Sequence, residues 1–174
     1  FCELREGIMG FTGRTWKFGD NINTDLILPG RAQLFTEAEQ LCCVFEGNRP
    51  GWIDEVGKGD VLIGGHNFGM GSSRPAARSL RNTGLACMVA ESINGLFYRN
   101  CVNWGFLALE CAGISTAFEE GDEAKVSFED FTVSNSRTSD VLQARPVPEI
   151  LLNTMKAGGV LPLLEAEGLI AAAE

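Results

Sequence analysis

The chain has 174 residues, 45% of them hydrophobic and 21% charged, long and apolar enough to bury a core and unlike a disordered segment. Its formal net charge of −9 argues against a nucleic-acid backbone or an anionic membrane as a general partner, while leaving room for one local anion pocket. No apolar run approaches the ~20 residues of a membrane span, and the opening "FCELREGIMGFTG" lacks the basic-then-apolar order of a signal peptide.

In chain order, the N-terminal part reads as loop-rich: "KFGDNINTDLILPGRA" (17–32) sets turn formers around a single short apolar run. Residues 60–111 then read as a repeating strand–helix unit. "DVLIG" is a buried-type strand followed by a glycine-rich loop. Pro75 suits the first turn of a helix, Ala76, Ala77 and Leu80 give that helix an apolar side, and Gly84 closes it. "LACMVAE" (85–91) is a near-continuous apolar strand of the kind found inside parallel sheets. Ser92 is expected to cap the next helix, where Ile93, Leu96, Phe97, Cys101 and Trp104 fall at helical spacing before Gly105. "FLALE" (106–110) is the third strand, so the order implies parallel strands with crossover helices. Residues 124–145 alternate loosely and read as antiparallel strands about the turn "SNSRTS". Pro148 to Lys156 reads as a helix, and the short apolar segment "VLPLLEAEG" follows. With no repeat and no linker, residues 1–174 read as a single α/β domain, a parallel βαβαβ unit with flanking antiparallel strands. The acidic runs "FEEGDE" and "EAEG" are expected to be solvated, and Phe97 and Trp104 to be core.

The cysteines, Cys2, Cys42, Cys43, Cys87, Cys101 and Cys111, form no C-x-x-C pair. They read as reduced, small apolar residues of a cytoplasmic protein, with no metal or cluster held by this chain.

The stretch with chemistry in it is "GHNFGMGSSRPAARSLRN" (65–82). A strand ending in a glycine-rich loop that enters a helix directs free N–H groups and the positive end of the helix dipole at whatever sits there. Gly69 and Gly71 allow close backbone approach, and Arg74 adds a planar fork that matches a carboxylate or phosphate. Named motifs fail one by one. The P-loop lysine is absent, the third glycine of a dinucleotide loop is Arg74, and G-x-S-x-G is not satisfied. His66 has no third partner for a triad and reads as solvated or structural. Two hydroxyls, an arginine and backbone amides around an oxyanion are left.

Three ordered stretches, "DNINTDLILPGR", "GHNFGMGSSR" and "AESINGLFYRNCVNWG", followed by "MKAGGVLPLL", resemble the small swivelling domain of the aconitase superfamily over nearly the whole chain. Within it they resemble the separate small subunits of isopropylmalate isomerases, the 3-isopropylmalate dehydratases. The resemblance implies a swivel-type β/β/α three-layer domain and interconversion of 2- and 3-isopropylmalate through an unsaturated intermediate, a step of leucine biosynthesis. It implies a separate large subunit that carries a [4Fe–4S] cluster, and a small dicarboxylate substrate. By position, Ser72 would be the base that moves the proton, and Ser73 and Arg74 would hold a substrate carboxylate beside the Gly71 backbone. Asp25 would be the acidic group facing the site. Arg31 belongs to the first motif. Leu34 and Phe35 follow it where relatives with a third substrate carboxylate carry a basic residue, so an apolar substituent is favoured, unless these two side chains are merely packed. Tyr98, Arg99 and Asn100 would support the loop through hydrogen bonds.

One departure stands out: family members continue S-S-R with glutamate and histidine, where this chain has Pro75 and Ala76. It leaves open a related dehydratase of methylated malates (citramalate or 2,3-dimethylmalate), or a carboxylate-binding regulatory domain without catalysis. The face that meets the large subunit is free to pair with itself when the chain is alone.

Overall fold

The computed structural model describes residues 10–71 and 75–171. The opening segment with Cys2, the trio Ser72, Ser73 and Arg74, and residues 172–174 lie outside the described residues.

Strand β1 (Gly10–Lys17) corrects the loop-rich reading of the N-terminal part. Its sequence, GFTGRTWK, carries two glycines and an arginine, so no apolar run announces it. Its first half alternates exposed and half-buried residues, and only Thr15 and Trp16 are fully covered. That first half pairs antiparallel with β5 (Glu123–Ser127), from Gly10↔Ser127 to Arg14↔Glu123. Its second half pairs parallel with β2 (Val61–Gly64), from Thr15↔Val61 to Lys17↔Ile63. β1 is therefore the seam of one seven-stranded mixed sheet of order β4-β3-β2-β1-β5-β6-β7.

On the parallel side the expected unit is present: β2, helix α4 (Ala76–Asn82), β3 (Cys87–Ala90), helix α5 (Gly95–Trp104) and β4 (Ala108–Glu110). Gly84 and Gly105 follow their helices with φ of +94° and +65°, the left-handed stop that glycine adopts at least cost. On the other side β5, β6 (Thr132–Asn135) and β7 (Val141–Gln143) form an antiparallel meander. The remaining helices are short: α1 (Thr24–Ile27), α2 (Glu37–Leu41), α3 (Trp52–Glu55), α6 (Ile114–Ala117), α7 (Glu149–Lys156) and α8 (Val160–Ala166).

Alternation along the strands divides the core between the two faces of the sheet. Trp16, Leu62, Met88 and Ala108 point to one face, which α4 and the segment from α1 to α3 cover with Ile27, Phe45, Trp52 and Leu80. Val61, Ile63, Cys87, Val89 and Val126 point to the other, covered by Ile114, Leu152 and Met155 of α6 and α7. Helices, sheet and helices thus form the three layers of an α/β fold. Phe97 is buried as expected; Trp104 is only half-covered, with the Arg78 guanidinium 4.9 Å from its ring centroid.

The acidic run "FEEGDE" is not simply solvated. Asp122 is 8% exposed and accepts from Arg137 Nε at 2.6 Å, Asn135 Nδ2 at 2.7 Å and the Glu119 amide at 2.9 Å. Glu120 accepts from both terminal nitrogens of Arg49 at 2.5 Å. Paired acids of this kind sit at the turn into β5 because the sheet brings the cations to them, which spacing alone does not reveal.

Candidate functional site

The parallel strands β1, β2 and β3 end on one edge of the sheet, and the chain leaves each of them through a loop on that edge, where open α/β sheets gather their ligands. The segment after β1 and the glycine-rich loop after β2 run side by side. Gly65 N–H donates to Gly19 O (3.3 Å), Asn21 N–H to His66 O (2.8 Å), Gly69 N–H to Ile22 O (2.7 Å) and Thr24 N–H to Met70 O (2.9 Å). On its other flank the loop is tied to the chain leaving β3: Phe68 N–H donates to Ser92 O (3.0 Å) and Asn94 N–H to Phe68 O (2.8 Å).

Gly69 has φ of +78°, and a Cβ there would lie 2.1 Å from Cγ of Phe97, so the loop rests on the first turns of α5 through a position that admits no side chain. Gly71 has φ of +108°, and its missing Cβ would stand 3.3 Å from Thr24 Oγ1. Gly71 therefore lies against Thr24, the residue before Asp25. Asp25 is exposed in the first turn of α1, whose N-terminus is capped by Asn23 Oδ1 accepting from Leu26 N–H at 2.8 Å. Gly71 is thus brought to the N-terminus of the helix that carries Asp25. Ser72, Ser73 and Arg74 lie outside the described residues.

The other expected residues form a second group. After α1 the chain turns through Gly30–Leu34, a single 3-10 turn. Arg31 is bidentate to Glu46, with Nε 3.1 Å from Oε1 and a second contact through Nη2, and this pairing raises its already high pKa. Its guanidinium also lies 5.8 Å from the Phe35 ring centroid. Arg31, Phe35, Glu39, Cys42, Cys43 and Glu46 line a cavity of about 300 Å³. Leu34 is 89% exposed and Phe35 37%. Leu34 is therefore not a packing residue; it presents an apolar surface to solvent.

Two expectations need correction. Ser92 does not cap α5: Asn94 does, accepting from Leu96 N–H at 3.2 Å, while the Ser92 hydroxyl accepts from Asn67 N–H at 2.8 Å and anchors the glycine-rich loop. Both residue types cap helices well, and the tertiary demand of the loop decides between them. Likewise, among the described residues no side-chain hydrogen bond runs from Tyr98, Arg99 or Asn100 to loop 65–71; Phe97 supports it by contact. Tyr98 lines a cavity of about 380 Å³ with Ile93, Glu110 and Arg145, and burial pushes its phenol up to about 12. His66 is exposed and serves the loop through its backbone, its N–H donating to Asp20 Oδ1 at 2.7 Å.

Sequence reasoning passed over Asn21 and Asn67, both left-handed at φ of +55° and +54°, with Asn67 Nδ2 donating to Asn21 Oδ1 at 3.1 Å. Asparagine in two glycine-rich turns was the available signal. Among the described residues no group of three or more His, Cys, Asp or Glu side chains is placed to hold a metal ion. Burial pushes the Cys87 thiol up to about 12 and that of Cys111 to about 11, so neither is a thiolate at neutral pH. No helix among the described residues is long and apolar enough to cross a membrane.

Residues 47–113 match the family model of the aconitase C-terminal domain. The chain is 43% identical to the isopropylmalate/citramalate isomerase small subunit of Methanocaldococcus jannaschii, over 88% of this chain and 92% of that protein. It is 38% identical to the 3-isopropylmalate dehydratase small subunit 1 of Thermotoga maritima, over 90% and 95%. The crystal structure of a 3-isopropylmalate dehydratase from Methanocaldococcus jannaschii superposes with a TM-score of 0.87 at 27% identity, covering 92% of this chain and 96% of that one. With the mixed sheet, the glycine-rich loop and the Asp25 helix all present in one chain, the protein belongs to the family of 3-isopropylmalate dehydratase small subunits, within the aconitase superfamily.

Proposed function

We propose that this chain, acting as a single swivel domain, is the small subunit of a hydro-lyase that isomerises 2- and 3-isopropylmalate by dehydration and rehydration. The names of its relatives support the reaction. The site assignment is supported by one observation: the backbone ladder that ends with Gly71 against Thr24, the residue before Asp25. In this reading Ser72 takes and returns the proton, Ser73, Arg74 and the Gly71 backbone hold a carboxylate, and Asp25 faces the reacting carbons. A serine hydroxyl is a weak acid in water, so it serves as a base only where nearby amides and a guanidinium favour its charged form. Arg31, Leu34 and Phe35 form the part that meets the substrate's substituent. Leu34 is apolar and exposed, and the Arg31 charge is already matched by Glu46, which favours an alkyl group over a third carboxylate.

The partner in this reading is a separate large subunit holding a [4Fe–4S] cluster, which supplies Lewis-acid help to the departing hydroxyl. A second reading, a dehydratase of citramalate, is favoured by the name of the Methanocaldococcus relative.

The test assembles the chain with a cluster-loaded large subunit from the same source and follows the ultraviolet absorbance of the unsaturated product. Turnover is expected on 3-isopropylmalate, weaker turnover on citramalate and none on citrate, with Ser72→Ala lowering kcat by roughly 10²- to 10⁴-fold. A tight complex that turns over none of these acids would replace the enzyme reading with a non-catalytic carboxylate-binding domain.

A further inference from the structure

We propose that Asn21 and Asn67 are positioning residues for the dehydration: a clasp between two loops that fixes the register in which the segment leading to Asp25 meets the glycine-rich loop. The inference rests on the functional reading given above and adds two residues to it.

The contact between the loops is thin. Outside the named strands it consists of isolated backbone bonds, a single parallel bridge at Asn23↔Met70 and one bond from His66 N–H to the Asp20 carboxylate. Short, glycine-rich pairings of this kind specify register weakly, and a slip by one residue moves one chain past the other by about 3.3 Å. Such a slip would shift Asp25 by that distance relative to the opposing loop. The two asparagines mark register because their contact is between side chains. Asn67 Nδ2 donates to Asn21 Oδ1 at 3.1 Å and lies 3.4 Å from Met70 Sδ. Each residue is also held through its backbone, Asn21 N–H by His66 O and Asn67 N–H by the Ser92 hydroxyl, both at 2.8 Å. Both sit in the left-handed region, which asparagine and aspartate tolerate better than other side-bearing residues. Counting along the chain, Asn21 lies four residues before Asp25 and Asn67 five before Ser72, so the clasp sits just upstream of both.

The chemistry of the pair supplies a test that leaves the backbone alone, because aspartate fits either position. In N21D the carboxylate still accepts from Asn67. In N67D the Asn21 amide rotates and donates to the new carboxylate. The double variant N21D/N67D opposes two carboxylates and loses the bond. All are measured in the assembled complex with 3-isopropylmalate, with amide hydrogen exchange of Thr24 and Gly69 in parallel. Each single variant is expected to keep kcat within about threefold of wild type, and the double to lose roughly 10- to 100-fold in kcat with KM held within about twofold. Exchange at Thr24 and Gly69 should quicken only in the double. A double variant as active as the singles overturns the clasp. So does a loss that comes with a lower melting temperature or a weakened complex, because the pair would then be structural. A wild-type complex without turnover removes the functional reading and this role with it, and the wild-type rate tells that failure from the clasp's own.

Discussion

At the scale of single residues, the two buried tryptophans of the core make a controlled comparison. Trp16 Nε1 donates to Asp60 Oδ2 at 2.7 Å, and the same carboxylate oxygen accepts from Gly57 N–H at 2.8 Å. Trp52 is equally buried, edge-on to Trp16, Phe18 and Phe45, yet its Nε1 has no hydrogen-bond partner among the described residues. Replacing Trp16 by phenylalanine removes a bond to a charged group and leaves a buried carboxylate short of a donor, a loss of about 2–3 kcal/mol. Replacing Trp52 by phenylalanine removes a donor that has no partner among the described residues, so only packing is lost and about 1 kcal/mol is expected. Urea denaturation of the two variants should separate them by their midpoints at unchanged slope; equal midpoints would contradict the hydrogen-bond argument.

At the scale of elements, the 3-10 turn Gly30–Leu34 is where substrate preference is expected to lie. Its exposed Leu34 is free of packing duties, so Leu34→Arg should leave stability within about 0.5 kcal/mol. The same change should lower kcat/KM for 3-isopropylmalate by about tenfold or more while raising any turnover of citrate, because it exchanges an apolar contact for a charge that suits a third carboxylate. Competition between the two acids in the assembled complex reads the ratio directly, and an unchanged ratio would remove Leu34 from the site.

The elements also show what a sequence can disclose. The β2–α4–β3–α5–β4 unit was legible because its apolar runs are continuous, its helical spacing is regular and glycines stand where the helices stop. β1 was not, because it pairs antiparallel along one half and parallel along the other, and no single pattern of burial runs through "GFTGRTWK". In the site, the glycine-rich loop and the Asp25 motif were legible from composition and resemblance. The asparagine clasp was hidden because its partners stand 46 residues apart, and local patterns carry no trace of such a bond. Ser92 was misassigned for a related reason: its hydroxyl was claimed by Asn67, not by its own helix.

At the scale of the whole molecule, the antiparallel half is closed around one carboxylate. Asp122 takes hydrogen bonds from Arg137, Asn135 and the Glu119 amide, and its own carbonyl accepts from Thr15 N–H and Thr15 Oγ1 of β1. The Arg137 pairing, with the other donors and against the cost of burial, holds Asp122 well below the usual carboxylate range. A carboxyl lowered in the folded state adds stability above its unfolded value of about 4, and that stability drains away as pH falls through the folded value. The protein should therefore lose melting temperature steeply below about pH 4. Arg137→Gln should melt lower at neutral pH and show a shallower acid decline, the two curves drawing together as Asp122 protonates. Parallel curves would mean that the pair does not set acid stability.

The seam strand has a consequence for how the chain reaches this structure. β1 precedes every other described element, yet its two partners are residues 61–63 on one side and 123–127 on the other. Both contacts span long stretches of chain, and closing such loops before any pairing rewards them makes folding slow. Until β5 has emerged from the ribosome, the strand at the centre of the finished sheet is an open edge, able to pair with another chain. The interval between the arrival of β2 and that of β5 is therefore when a nascent copy is most exposed to aggregation, and yield in the cell depends on how that interval is bridged.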